Sequence, residues 1–160
     1  MSFDNKYSRR NFSHQIMACC LFRVLPLQQL NIMEAKGVTI HKSKYAVKET
    51  IDKLQLFLQQ HGATIYIRIN QQAEANNSGL HLLPLEYILF GNPAAGGLLM
   101  IENPLIALDL PLKVIVWEDD KKDVWLAYNK SAYIKERYSL PDMPNSPLAL
   151  DNISKMALEI

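Results

Sequence analysis

Two runs of strand-forming residues, Leu112-Lys113-Val114-Ile115-Val116-Trp117 and Val124-Trp125-Leu126-Ala127-Tyr128, constrain this chain more than any other feature. Both are rich in the β-branched and aromatic residues that suit a pleated surface. The acidic-basic tip at 118–123 between them points to an antiparallel hairpin. Gly37-Val38-Thr39-Ile40-His41-Lys42-Ser43 alternates in the same way, with the period of two expected of a strand that buries one face. Thr64-Ile65-Tyr66-Ile67-Arg68-Ile69 does so too, and predicts Ile65, Ile67 and Ile69 toward the core with Tyr66 and Arg68 opposite. Leu85-Glu86-Tyr87-Ile88-Leu89-Phe90 is a further strand with large apolar groups on both faces.

Between the first two strands the period changes. Val47, Ile51, Leu54 and Leu58 fall on one helical stripe, widened by Phe57, while Lys48, Asp52, Lys53 and Gln59 face outward. Gly62 after His61 is a natural left-handed stop. Glu49 stands where a capping box wants its acidic member, but Ala46 holds the N-cap position and has no side chain to complete it. Residues 71–78 are polar and predict one or two helical turns ending at Gly79. In Gly91-Asn92-Pro93, Asn92 can cap and Pro93 can open a short helix to about Glu102. Asn103-Pro104 repeats that punctuation for another turn through Leu108, and Pro111 stops it. A short helix follows at 131–138. Pro141, Pro144 and Pro147 mark a linker, and Asp151 can cap a last amphipathic helix using Ile153, Met156, Ala157 and Ile160. We read the whole as α+β: a single domain, with a mostly antiparallel sheet covered by helices.

At 160 residues, 49% hydrophobic and 21% charged, the chain has the size and composition of one globular domain. Its 17 Lys+Arg against 16 Asp+Glu leave a net charge of +1, which supplies no general pull toward nucleic acid or acidic membranes. No run approaches the 18 or so apolar residues of a membrane span. Cys19 and Cys20 are adjacent, poorly placed for an ordinary disulfide, and no C-x-x-C is present. They read as small apolar residues in a reducing compartment.

Residues 1–36 read differently, as a poorly ordered N-terminal arm. Ser8-Arg9-Arg10-Asn11-Phe12 is like a twin-arginine signal, and Ile16-Met17-Ala18-Cys19 is loosely like a lipoprotein cleavage box. The apolar stretch at 16–27 is broken by Arg23, however, where a signal needs an uninterrupted apolar core. Met33, just before the first strand, offers a second start, so the arm could come from an over-extended start site. The expected compartment is the cytoplasm, with the periplasm or export as the alternative if the arm is a signal. Residues 37–140 then form the domain, and 141–160 the linker and C-terminal helix.

The elements from Val38 to Leu140 resemble the domain-of-unknown-function 302 family. The resemblance rests on Phe90-Gly91-Asn92-Pro93, on Leu108-Asp109-Leu110-Pro111-Leu112-Lys113, and on Val116-Trp117-Glu118-Asp119. It continues through Trp125-Leu126-Ala127-Tyr128-Asn129 and Ala132-Tyr133, in the family's order and spacing. It implies a small α+β domain, often found alone, and brings no established activity with it. Ala46 departs from the serine common there as a helix cap.

Several side chains are candidates for chemistry. Gly91-Asn92-Pro93-Ala94-Ala95-Gly96-Gly97 follows a strand and opens a helix, as a phosphate-binding loop does, but Gly97 and Leu98 stand where Lys and Ser/Thr are needed. What survives is a helix start whose N–H groups could hold a small anion, or simply a turn that needs glycine. Glu86, ionisable within an apolar run, is a candidate general base, with Asp109 and Lys113 as its charged neighbours; the bland alternative is an ion pair that fixes the strand. Trp117, Trp125, Tyr128 and Tyr133 gather around the hairpin. With Asn92, the first three are candidate ligand-binding residues. The acidic neighbours Glu118, Asp119 and Asp120 disfavour nucleic acid. His41, His61 and His81 are scattered, so no metal site and no cofactor is expected.

Two functions follow: a non-catalytic module that binds a small ligand or forms a homodimer, and an enzyme of unknown reaction using Glu86 with Asp109 and Lys113. We favour the module, because no catalytic motif is present. Convergence of Glu86, Asp109 and Lys113 on one cleft would favour the enzyme.

Overall fold

The computed structural model describes residues 35–142 and four positions of a C-terminal helix, Ile153, Lys155, Met156 and Glu159. The chain divides into two units, Met1–Met33 and Glu34–Ile160, and every described residue lies in the second. The arginine pair, the vicinal cysteines, Met33, Pro144, Pro147, the Asp151 cap, Ala157 and Ile160 lie outside the described residues.

Five strands form one antiparallel sheet: β1 (Val38–Ser43), β2 (Thr64–Asn70), β3 (Leu85–Gly91), β4 (Leu112–Glu118) and β5 (Val124–Asn129), in the spatial order β1-β5-β4-β3-β2. β4 and β5 make the hairpin that their sequences announce, with Trp117 opposite Trp125. β1 and β2 occupy opposite edges and run in the same direction, so the chain between them must cross the sheet. Helix α1 (Val47–Gln60) makes that crossing and packs on β3, β4 and β2. α2 (Gln71–Asn77) links β2 to β3, α3 (Pro93–Glu102) and a 3₁₀ helix (Pro104–Leu108) link β3 to β4, and α4 (Ser131–Arg137) follows β5. The fold is α+β.

The core sits on one face of the sheet. Ile88, Phe90, Val114, Val116, Leu126 and Tyr128 point into it, and Val47, Ile51, Leu54 and Leu58 of α1 close over them. Leu99, Ile106, Ile134, Tyr138 and Leu140 join the same cluster, as do Ile153 and Met156 of the C-terminal helix. The sequence-based boundary at 140 therefore cuts between residues that share one core. The opposite face carries Tyr87, Leu89, Ile115, Trp117 and Trp125, all partly exposed.

Three local departures have physical causes. Strand β2 does not alternate as its sequence implies: a bulge between Ile65 and Ile67 shifts the register. Ile65 stays opposite Phe90 on the core face, but Ile67 and Ile69 pair with Leu89 and Tyr87 on the other. Arg68 takes the core side, opposite Ile88. A bulge adds one residue to one strand, and one residue is enough to exchange the faces.

At the start of α1, Ala46 indeed makes no side-chain cap. A buried hydroxyl pair organises the turn instead. The Tyr45 N–H donates to Ser43 Oγ (3.1 Å), Ser43 Oγ meets Thr50 Oγ1 at 2.7 Å, and Thr50 Oγ1 donates back to the Tyr45 carbonyl (3.3 Å). Each buried polar atom in the ring is thereby satisfied.

Gly37 is the third case. It adopts φ +78°, and any side chain there would collide with the ring of Tyr133 in α4. Only glycine meets both demands, and its carbonyl accepts from the Lys130 N–H at 2.7 Å, tying the start of β1 to the chain after β5.

Candidate functional site

Glu86 lies on the core face of β3 and is only 7% exposed. Arg68, brought to the same face by the β2 bulge, reaches one of its oxygens from Nε (2.8 Å) and from Nη2 (2.7 Å). Arg68 Nη1 also lies 2.5 Å from Asp52 Oδ1 on α1, and Lys48 Nζ lies 2.8 Å from Asp52 Oδ2. A chain of alternating charge, Lys48–Asp52–Arg68–Glu86, thus ties the outer side of α1 to the sheet. Hydrogen bonds from Lys48 and then Arg68 hold the Asp52 carboxyl below its ordinary range. Burial pulls Arg68 down, but its hydrogen bonds to Asp52 and Glu86 outweigh that and leave its pKa raised.

Asp109 and Lys113 are elsewhere. They line a polar cleft of about 150 Å³ with Asn129 and the Leu110-Pro111 turn, and Glu86 is not among its walls. Asp109 accepts a 2.6 Å hydrogen bond from the Tyr138 hydroxyl and lies 3.3 Å from Arg137 Nη1. The Asp109 carboxylate in turn pushes the Tyr138 phenol upward. Lys113 pairs with Leu89 on the face opposite Glu86, and its ammonium sits 5.2 Å from the centre of the Tyr87 ring. The structure therefore brings two of the three charged candidates together and leaves Glu86 apart.

The aromatic candidates divide as well. Trp117 and Trp125 stand side by side on the partly exposed face, and Trp125 Nε1 donates to Asp119 Oδ2 at 2.8 Å. That bond is the leading cause holding the Asp119 carboxyl below its usual value. Tyr128 faces the core and stacks on His41, with ring centres 6.1 Å apart. Burial lowers the pKa of His41. His61 is held by the Phe57 carbonyl (2.8 Å), and among the described residues no three His, Cys, Asp or Glu side chains gather as a metal site.

Asn92 caps α3: its Oδ1 accepts from the N–H groups of Ala94 (3.0 Å) and Ala95 (3.2 Å). The Gly96 N–H bonds the Asn92 carbonyl at 2.8 Å. The amides on which a phosphate-loop reading relies are therefore engaged within the turn itself. Beside this cap lies a larger cleft of about 330 Å³, walled by Tyr66, Asn92, Pro93, Gly96, Gly97, Leu99, Met100 and the segment 110–112. None of these side chains carries a charge. A volume near 300–1,000 Å³ with an apolar lining and a few polar groups is the usual form of a small-molecule site.

Sequence reasoning placed Asn92 at this position but missed the cleft. The clue was Gly96-Gly97 inside a helix. Neither has the positive φ that calls for glycine, and a Cβ on Gly97 would meet nothing within 4 Å. Each costs about 1 kcal/mol relative to alanine in a helix interior. What the pair achieves is a wall without side chains.

Comparison with known proteins places the fold. The model of the family described as "Domain of unknown function DUF302" matches residues 39–158, which include the C-terminal helix. The crystal structure of an uncharacterized conserved DUF302 protein from Bacillus stearothermophilus superposes with a TM-score of 0.62 at 21% identity, covering 78% of this chain and 95% of that one. Among curated proteins, the chain is 37% identical over 110 residues to "Fluoride-specific ion channel FluC 1" of Brucella suis and to "Fluoride-specific ion channel FluC 2" of Brucella melitensis. Those matches cover 69% of this chain but only 43% and 40% of the relatives, so the chain spans less than half their length. No helix among the described residues is long and apolar enough to cross a membrane. With the family model matching well over half of its length, the chain belongs to the DUF302 family.

Proposed function

We propose that this domain is a binding module that takes a small, uncharged and largely apolar molecule into the cleft beside α3. The observation that carries this reading is Gly96-Gly97: helix stability is given up where a side chain would narrow the cleft, the pattern expected of a position kept for function. An uncharged lining favours a neutral ligand, since a buried ion without a partner is costly. Tyr66 and Asn92 are the lining residues whose side chains carry polar groups, and they are the ones available to orient it. The test uses indole as a neutral probe and benzoate as a charged one, with amide NMR shifts as the readout. Indole should move Gly96, Gly97 and Met100 together, benzoate should not, and Gly97→Leu should abolish the indole response while leaving the spectrum folded. Shifts scattered over the molecule, or an unchanged response in Gly97→Leu, would sink the proposal.

The enzyme reading draws less support, because Arg68 occupies the carboxylate of Glu86 that would serve as base. The curated relatives favour a second reading: a domain of this kind accompanies a membrane ion channel and modulates it. It predicts that adding this chain to vesicles containing such a channel changes the rate of fluoride efflux; an unaltered rate would count against it.

A further inference from the structure

We propose that the outer surface of α3 and the following 3₁₀ helix is where a second copy of this chain docks, across a twofold axis. α3 is apolar on all sides, yet of its ten residues Leu99 is the one that is buried. A helix of that composition ordinarily lies inside a protein. Here Leu98 is 57% exposed and Ile101 79%, three residues apart on one side of the helix. Leu105 is 63% and Leu108 75% exposed, and in a 3₁₀ helix residues three apart lie directly in line. α3 and the 3₁₀ helix are in contact and only Asn103 separates them, so the two pairs lie on adjoining elements.

Area and charge together select the occupant. Four large side chains, each more than half exposed, make a patch at the upper end of the roughly 300–600 Å² that a monomer shows. Doubled by a twofold axis, that approaches the ~1,000 Å² a specific interface requires. A twofold places the patch against itself, and Glu102 is the single ionisable residue from 93 to 108, so an apolar copy of the same segment matches it and no oppositely charged partner is called for. A lipid surface is the other occupant that apolar helices suit, but surface-bound helices carry Lys and Arg on their polar side, and 93–108 contains neither. The patch lies on the helix that walls the cleft, although the docking stands independently of any ligand there.

Sedimentation velocity on the full chain, over a range of concentrations, tests the proposal. The expected species is twice the 18.3 kDa chain mass. The double variant Ile101→Lys, Leu108→Lys should sediment as a monomer or show a dissociation constant raised at least about tenfold, with an unchanged far-ultraviolet circular dichroism spectrum. Leu56→Lys, at an apolar position on α1 that is 57% exposed, should remain dimeric. A wild-type monomer at every concentration overturns the proposal, as does a dimer that persists in the double variant. A monomer that co-sediments with phosphatidylcholine vesicles, and loses this in the double variant, overturns it in favour of a lipid surface.

Discussion

Helices α1 and α3 belong to one domain and follow opposite rules. α1 buries Val47, Thr50, Ile51, Leu54 and Leu58 in a stripe and turns Lys48, Asp52 and Lys53 to solvent. α3 has two glycines in its middle, buries Leu99, and turns Leu98 and Ile101 outward. A stripe of apolar residues records a partner already present in the fold. In α3 the exposed Leu98 and Ile101 have no such cover among the described residues, and its two glycines line a cleft. The first helix accounts for stability, whereas the second is where function should be sought.

Truncation should separate them most sharply. Leu54→Ala truncates a fully buried side chain of α1 and should cost about 2–5 kcal/mol of unfolding free energy. Ile101→Ala, at an exposed position, should stay within about 0.5 kcal/mol in the monomer. Urea denaturation at low protein concentration measures both, and comparable losses would break the distinction between the helices.

The charge chain that anchors α1 gives the next effect. Glu86→Ala leaves Arg68 with a lost partner in a half-buried setting and should cost about 1.5–3 kcal/mol. Glu86→Gln keeps an acceptor and should cost less. If Glu86→Gln instead left stability intact while abolishing a turnover found by assay, Glu86 would be a catalytic group and the enzyme reading would return.

Much of this was legible in the sequence, for local reasons. Asn92-Pro93 and Asn103-Pro104 each combine a cap with a first-turn proline, and both open helical segments where expected. The β4–β5 hairpin and the stripe of α1 follow from periods of two and 3.6. The failures are non-local. Nothing within Thr64–Asn70 announces the bulge, because register is settled by pairing with β3. The partner of Glu86 lies 18 residues away and faces it only because of that bulge. Grouping Tyr128 with Trp125 as one candidate surface fails for a local reason instead: three residues apart on a strand, they fall on opposite faces by the period of two. The glycines of α3 invited comparison with a phosphate loop, but the N–H groups there are engaged by Asn92, and Gly96 and Gly97 line a cleft that their spacing does not announce.

A smaller effect, of opposite sign, should come from Gly97→Ala. The added methyl meets no neighbouring atom and removes backbone freedom from the unfolded chain. Stability should rise by about 0.5–1 kcal/mol, while the affinity of indole falls as the cleft narrows. A loss of stability would mean that the glycine serves the fold, and that α3 is no different in kind from α1.

The smallest effect concerns pH and again singles out α1. Asp52 has a carboxyl pKa held below its ordinary value by Lys48 and Arg68, so the folded state binds its proton less readily than the unfolded chain. Its contribution is therefore fully present above the unfolded value, about 3.9, and is lost as pH falls through the lower folded value. The side chain is 45% exposed, which screens the pair and limits the contribution to less than about 1 kcal/mol. Asp52→Asn should accordingly lower the urea midpoint slightly at neutral pH and progressively less below about pH 4. His41 acts in the same direction at higher pH: its lowered folded pKa makes the unfolded chain take up the proton first, so stability declines as pH drops below about 6.5. His41→Gln should flatten that upper limb and leave the lower one in place. If Asp52→Asn reduces stability equally at both ends of the range, the carboxyl acts through packing rather than charge, and the anchoring of α1 rests on its buried stripe alone.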